Sequence, residues 1–192
     1  MKKLMRLWGC LLMLMAMVVT ALPSEARAEI SERPVGFVVI DQDGDVNGAV
    51  YKTWRQVVKW AYHFPYYQLL DGGEAQTLVS EAARTGVKLD KDSLAALAEK
   101  SKVDVLVVAR VYELDEYIVP SMGFREDNDT YVKTSACADL FVYKKDGDKF
   151  LKKKLREREL KEIGTVEHPE ETIKWELSKL VNTIEGRPII GA

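Results

Sequence analysis

The chain has 192 residues, 47% of them hydrophobic and 30% charged, and a formal net charge of −2 at pH 7. That charge excludes a protein whose affinity for nucleic acid rests on neutralising phosphates, and it gives no pull toward anionic lipid headgroups. With two cysteines and two histidines, a disulfide framework is excluded, and the isolated His and Cys make a poor metal set with no short ligand spacing.

Lys2, Lys3 and Arg6 open the chain, Leu11 to Leu22 is an apolar run without charge, and Ala26-Arg27-Ala28 follows. A basic start, an apolar centre and small residues at the cleavage positions are the parts of a secretory signal peptide, with the cut expected before Glu29. The run is shorter than the roughly 20 residues a spanning helix needs, and Pro23 and Glu25 close it. Cys10 precedes most of the run, where a lipid-modified cysteine would follow it. The expected domains are 1–28, a cleaved signal peptide, and 29–192, a single globular domain. That domain works in the periplasm or outside the cell, with no membrane span after cleavage. Four of the 28 bases and one of the 30 acids lie in the leader, so the domain carries 24 bases against 29 acids. A chain of this size buries about 70% of its unfolded surface and needs no staple.

Val35-Gly36-Phe37-Val38-Val39-Ile40 is a continuous apolar run, the pattern of a strand buried on both faces. Helical spacing follows, with Val50, Trp54, Val57, Val58, Ala61 and Tyr62 on one stripe, and Pro65 stops it. Tyr66 to Asp71 is a short strand closed by Gly72-Gly73. A second helix is expected over Glu74 to Arg84, and a third from an N-cap near Asp92 that carries Leu94, Leu97 and Ala98. Val103 to Val111 is the strongest strand signal, and Thr130 to Tyr143 follows as another. Asp146-Gly147 is a hairpin turn, which makes Phe150 to Leu160 a returning, solvated strand. The last helix starts at Pro169, buries Ile173, Leu177, Leu180, Val181 and Ile184, and ends at Gly186. The fold class is α/β (α+β), a mixed β-sheet with helices packed on it, in the order β-α-β-α-α-β-β-β-α.

Four features recur together: the early apolar strand, a short strand ending in Leu69-Leu70-Asp71, Leu94-Ala95-Ala96-Leu97-Ala98 running into Val103-Asp104-Val105-Leu106-Val107, and a meander with Leu140-Phe141-Val142-Tyr143 before its Asp-Gly turn. Over about residues 35 to 186 the chain resembles the amino-terminal domain of the TolB translocation protein and the related domain of CsgG-type envelope proteins. The resemblance implies a non-enzymatic part of an envelope assembly that binds another envelope protein or itself. It transfers no functional residue. The membrane hairpins of the CsgG type have no counterpart, because the connection between Asp115 and Thr130 is short and polar.

Candidate sites follow. Asp41, Asp43 and Asp45 have the 1, 3, 5 spacing of a calcium loop, and with Asn47 they are the residues that would hold the ion. Val46 stands where such a loop needs Gly and Lys52 where it needs a bidentate Glu, so a strand-to-helix turn with capping side chains competes. Trp54, Trp60, Tyr62, Phe64, Tyr66 and Tyr67 crowd one stretch, and Trp60 lies off the helical stripe. Trp60, Phe64, Tyr66 and Met122 are the apolar residues least explained by the stripes, so they are the candidate partner surface, with core or loop packing as the other placement. Tyr117 to Phe124 reads either as an exposed contact loop or as a strand that simply continues, with Pro120 at an edge. Cys137 reads as a small core thiol. The basic residues Lys149, Lys152, Lys153, Lys154, Arg156 and Arg158 read as the solvated face of an edge strand. The expected function is a non-enzymatic interaction domain, with a calcium-binding module and a carboxylate hydrolase as alternatives. No Gly-x-Ser-x-Gly, His-Glu-x-x-His or Gly-Lys-Ser/Thr motif occurs.

Overall fold

The structure is a computed structural model, and it describes residues 32–63, 65–70, 72–120, 130–162 and 168–189. They lie in one compact unit, Glu32–Ala192. The expected signal peptide, Phe64 and Met122 lie outside the described residues.

The five strands are β1 (Arg33–Asp41), β2 (Tyr67–Leu70), β3 (Val105–Pro120), β4 (Thr130–Lys144) and β5 (Lys149–Glu162). They form one sheet in the order β2-β1-β3-β4-β5. β1 pairs in parallel with β2 and β3, and β3, β4 and β5 form an antiparallel meander. The helices are α1 (Gly48–Ala61), α2 (Gly73–Arg84), α3 (Lys91–Lys100) and α4 (Pro169–Ile184). The element order is the one expected from sequence, and Phe150 to Leu160 is strand.

The continuous apolar run of β1 is accounted for by cover on both faces. On one face Val35 and Phe37 join Val105, Val107 and Leu140 under Trp54 and Val58 of α1 and Ile173, Leu177 and Val181 of α4. On the other face Val38, Leu106, Val108 and Phe141 pack against Val79 of α2 and Leu94 of α3. Gly36 permits the approach of α2, because a Cβ there would stand 3.2 Å from the Ala75 methyl. Burying a large aliphatic side chain contributes about 1.5–3 kcal/mol, so both layers hold the sheet.

β1 pairs with β3 only as far as Val111, and a bulge interrupts the β3–β4 register between Val111 and Glu113. Beyond the bulge β3 continues through Tyr117, Ile118 and Val119 to Pro120, paired with β4 alone. Tyr117 to Pro120 are strand, with Tyr117 and Ile118 exposed, and the rest of this stretch, 121–124, lies outside the described residues. The third helix begins earlier than expected. Its N-cap is Asp90, whose carboxylate accepts from the Ser93 amide at 3.1 Å while the Ser93 hydroxyl accepts from the Asp90 amide at 2.9 Å. This reciprocal pair satisfies two orphan amides, which Asp92 inside the first turn does not do.

Candidate functional site

α1 and α4 lie side by side on one face of the sheet and are tied at two points. The buried Trp54 indole Nε1 donates to the Glu170 carbonyl at 2.9 Å, and Arg187 Nη1 donates to the Ala61 carbonyl at 2.6 Å. Between the ties a groove of about 550 Å³ opens, with Val57, Ala61 and Val181 among its lining residues. Those three are buried and hold their positions through the core. Trp60 of α1 and Trp175 of α4 also line it. Trp60 is 68% exposed. Trp175 is half-buried, and the Lys179 ammonium lies 5.1 Å from its ring centroid. Glu171 and Lys174, paired at 2.6 Å, stand on the groove with Arg187.

Trp60 is therefore off the core, as its place outside the stripe predicts. Tyr66, in the turn after α1, is 62% exposed. Trp54 and Tyr62 are buried, as their spacing predicts. Trp175, Asn182 and Arg187 were missed in sequence. The signal for Trp175 was available, since it falls between the stripe positions Ile173 and Leu177 as Trp60 falls outside the stripe of α1. Nothing in sequence places Arg187 against α1.

The Asp41–Asn47 segment links β1 to α1. Asp41 accepts from the Gly44 amide at 3.0 Å and the Val46 amide at 2.8 Å. Asn47 caps α1, accepting from the Ala49 and Val50 amides at 2.9 and 3.0 Å. Asp45 accepts from the Leu114 amide of β3 at 3.3 Å. Burial first, then repulsion from Asp115, Asp41 and Asp43, pushes the Asp45 carboxyl above its ordinary range against the pull of that amide. Asp41 and Asp45 thus accept from backbone donors, and Asp43 is exposed.

Among the described residues one cluster brings three His, Cys, Asp or Glu ligand atoms within 4.8 Å of one another: Glu116, His168 and Glu170. His168 Nδ1 lies 2.6 Å from Glu116 Oε2. The hydrogen bond to Glu116 is the main cause that raises the His168 pKa. Sequence spacing gives no hint of this set, because Glu116 comes from β3 and the other two from the start of α4.

The outer half of the sheet carries an ionic network on the side of β4 that presents Asp139, Cys137 and Ser135. Asp139 lies 2.8 Å from Arg156 and 3.4 Å from Lys152, and accepts from the Tyr112 hydroxyl at 3.3 Å. Burial pushes the Asp139 carboxyl up, and the Arg156 and Lys152 charges outweigh it and hold it below the usual range. Cys137 is 3% exposed, and burial, then the Glu113 carboxylate, raises its thiol pKa. A thiol so placed is a poor nucleophile.

No family model matches the chain, and no curated protein matches it. Among solved structures it is similar to a hypothetical protein of Chlamydia trachomatis at 9% identity and a TM-score of 0.43, covering 81% of this chain and 97% of that one. A lipoprotein of Neisseria meningitidis is similar at 14% identity and a TM-score of 0.34, covering 80% of this chain and 99% of the other. A minor lipoprotein of Acinetobacter baumannii is similar at 6% identity and a TM-score of 0.29, covering 79% and 86%. Likenesses of this size assign no activity. Among the described residues no helix is long and apolar enough to cross a membrane.

Proposed function

We propose that this chain is a non-enzymatic, exported interaction domain of a cell-envelope assembly, and that its partner is another envelope protein that inserts an apolar side chain between Trp60 and Trp175. The observation that carries the reading is Trp60, which leaves 68% of its surface in water beside a groove with a buried apolar base. Exposed indole over an apolar floor is the composition of an interface centre, where Trp supplies a large share of the binding energy. The Glu171–Lys174 pair and Arg187 give that centre a polar rim. Tyr66 extends the exposed aromatic surface past the end of α1. Export rests on the basic, apolar and Ala-x-Ala order of residues 1–28, and the envelope setting on the TolB/CsgG-like pattern.

The test is cross-linking in the native host, with the full-length chain and its Trp60→Ala and Trp175→Ala variants. The mature chain is expected to begin at Glu29, and one envelope protein is expected to cross-link to the wild type. Each variant should lower that yield about tenfold or more, the loss of a central aromatic anchor, with thermal stability kept. Cross-links between copies of the chain that both variants abolish would reassign the partner to a second copy. A chain that remains in the cytoplasm with Met1 in place, or a cross-linked product indifferent to both variants, overturns the reading.

A further inference from the structure

We propose that Glu116, His168 and Glu170 form a binding site for a divalent transition metal, with Zn2+ as the reference ion. The site is independent of the α1–α4 groove and of the partner assigned to it.

The three ligand atoms lie within 4.8 Å of one another. On a tetrahedral ion with bonds of about 2.0–2.2 Å, ligand atoms stand roughly 3.3–3.5 Å apart. The shift needed is small for carboxylates at the end of rotatable side chains. The donor set is one imidazole nitrogen and two carboxylate oxygens. That mixture suits zinc and its neighbours in the first transition row, whereas calcium takes six to eight oxygens.

The backbone that carries the donors is fixed. Glu116 sits in β3 opposite Thr134 of β4. His168 is the N-cap of α4, with Pro169 next to it, and a residue before proline is confined to extended backbone. Glu170 follows in the first turn, and its carbonyl accepts from the buried Trp54 indole at 2.9 Å. The cluster thus joins two segments far apart in sequence that the core already holds together.

The charges are unbalanced without a cation. Glu116 takes the imidazole contact at 2.6 Å. The Glu170 carboxylate has no hydrogen bond or ion pair among the described residues, although it lies in the same cluster. Two carboxylates this close repel each other, and a single imidazolium charge facing both still leaves one negative charge over. A divalent ion in its place neutralises both and takes the imidazole lone pair. With three protein ligands the ion keeps at least one position open to water, since His168 is 61% exposed and Glu116 36%. Bound there, it clips the outer half of β3 to the start of α4.

The test titrates Zn2+ alone into the mature protein at neutral pH, with calorimetry and thermal melts as readouts. One zinc per chain and a raised melting temperature are expected. His168→Ala, Glu116→Gln and Glu170→Gln should each weaken binding about tenfold or more, on the scale by which changes around a metal alter its affinity. Because the three side chains are not part of the core, the variants should keep the wild-type circular dichroism. Co2+ in place of Zn2+ should give d–d absorption bands that His168→Ala removes. Asp43→Ala should leave zinc binding unchanged. No heat and no melting shift with zinc, or binding that survives His168→Ala and both Gln variants, overturns the proposal. Zinc binding lost only with Asp43→Ala moves the site to the β1–α1 loop and overturns it equally.

Discussion

Trp54 and Trp60 share one helix and have opposite fates, which separates packing from recognition at the level of single residues. Trp54 is fully buried and its indole is the donor that ties α4 down. Trp54→Ala removes that packing and the hydrogen bond, and should cost about 3–5 kcal/mol in urea unfolding. Trp60→Ala removes a ring already in water, and should change stability by less than about 0.5 kcal/mol. A loss of several kcal/mol at Trp60 would make it a core residue and remove it from the partner surface. Asp139 sets a pH dependence. Its carboxyl is held below the usual range in the fold because the Arg156 and Lys152 charges outweigh its burial. A depressed native pKa stabilises above the unfolded carboxylate range, near pH 4, and that stabilisation is lost as pH falls through the native value. The urea midpoint should therefore drop between pH 5 and 2 by more in the wild type than in Asp139→Asn. Equal acid limbs for the two proteins would show that Asp139 does not contribute.

The elements show how local chemistry and tertiary pairing divide the work. The capping box of α3 is local, so Asp90→Ala should cost about 1 kcal/mol, measured as a shift of the melting curve. The far end of α4 is held by a non-local pair. Lys144 of β4 and Glu185 at the C-cap of α4 meet at 2.7 Å with side chains 10% and 7% exposed. Removing Lys144 leaves the buried Glu185 carboxylate with only the Tyr67 hydroxyl, at 3.4 Å, as a partner for Oε2, so Lys144→Ala should cost about 3–5 kcal/mol, and a loss under about 1 kcal/mol would mean that water reaches Glu185. The same division explains what could be read in advance. Stripes such as Ile173, Leu177, Val181 and Ile184 follow from the helical period, so the helices, strands and their order were legible. Trp60 was legible because it breaks such a stripe. The Asp90 cap was placed two residues late, because either Asp90 or Asp92 can cap on sequence grounds and only the reciprocal bond with Ser93 decides. The extension of β3 to Pro120 depends on β4 as its partner. The Glu116, His168 and Glu170 cluster and the Arg187 tie to α1 depend on folding alone, and no short spacing encodes them.

At the scale of the whole molecule the sheet is asymmetric in its two edges. One edge is β2, only four residues long, and the other is β5 with 14. A long edge strand offers unpaired backbone donors and acceptors to any neighbouring chain. β5 answers with charge. All but four of its 14 positions are Lys, Arg or Glu, as in the run Lys152-Lys153-Lys154 before Leu155 and the alternation Arg156-Glu157-Arg158-Glu159 after it. Several of these charges are also held in place, by Asp139 for Lys152 and Arg156, by Glu176 for Lys153 and by Glu113 for Arg158. Lys154 and Glu157 are exposed and take no part in those pairs, so they guard the edge without supporting the fold. Replacing both, Lys154→Val with Glu157→Val, removes the guard and raises β propensity together. The double variant should fold with wild-type circular dichroism and shift toward larger species in size-exclusion chromatography as concentration rises, with dye binding of the cross-β kind on standing. If it elutes as the wild type does at every concentration, the charge row is not what keeps β5 unpaired, and the twist left by the bulge at Val111/Glu113 becomes the element to alter next.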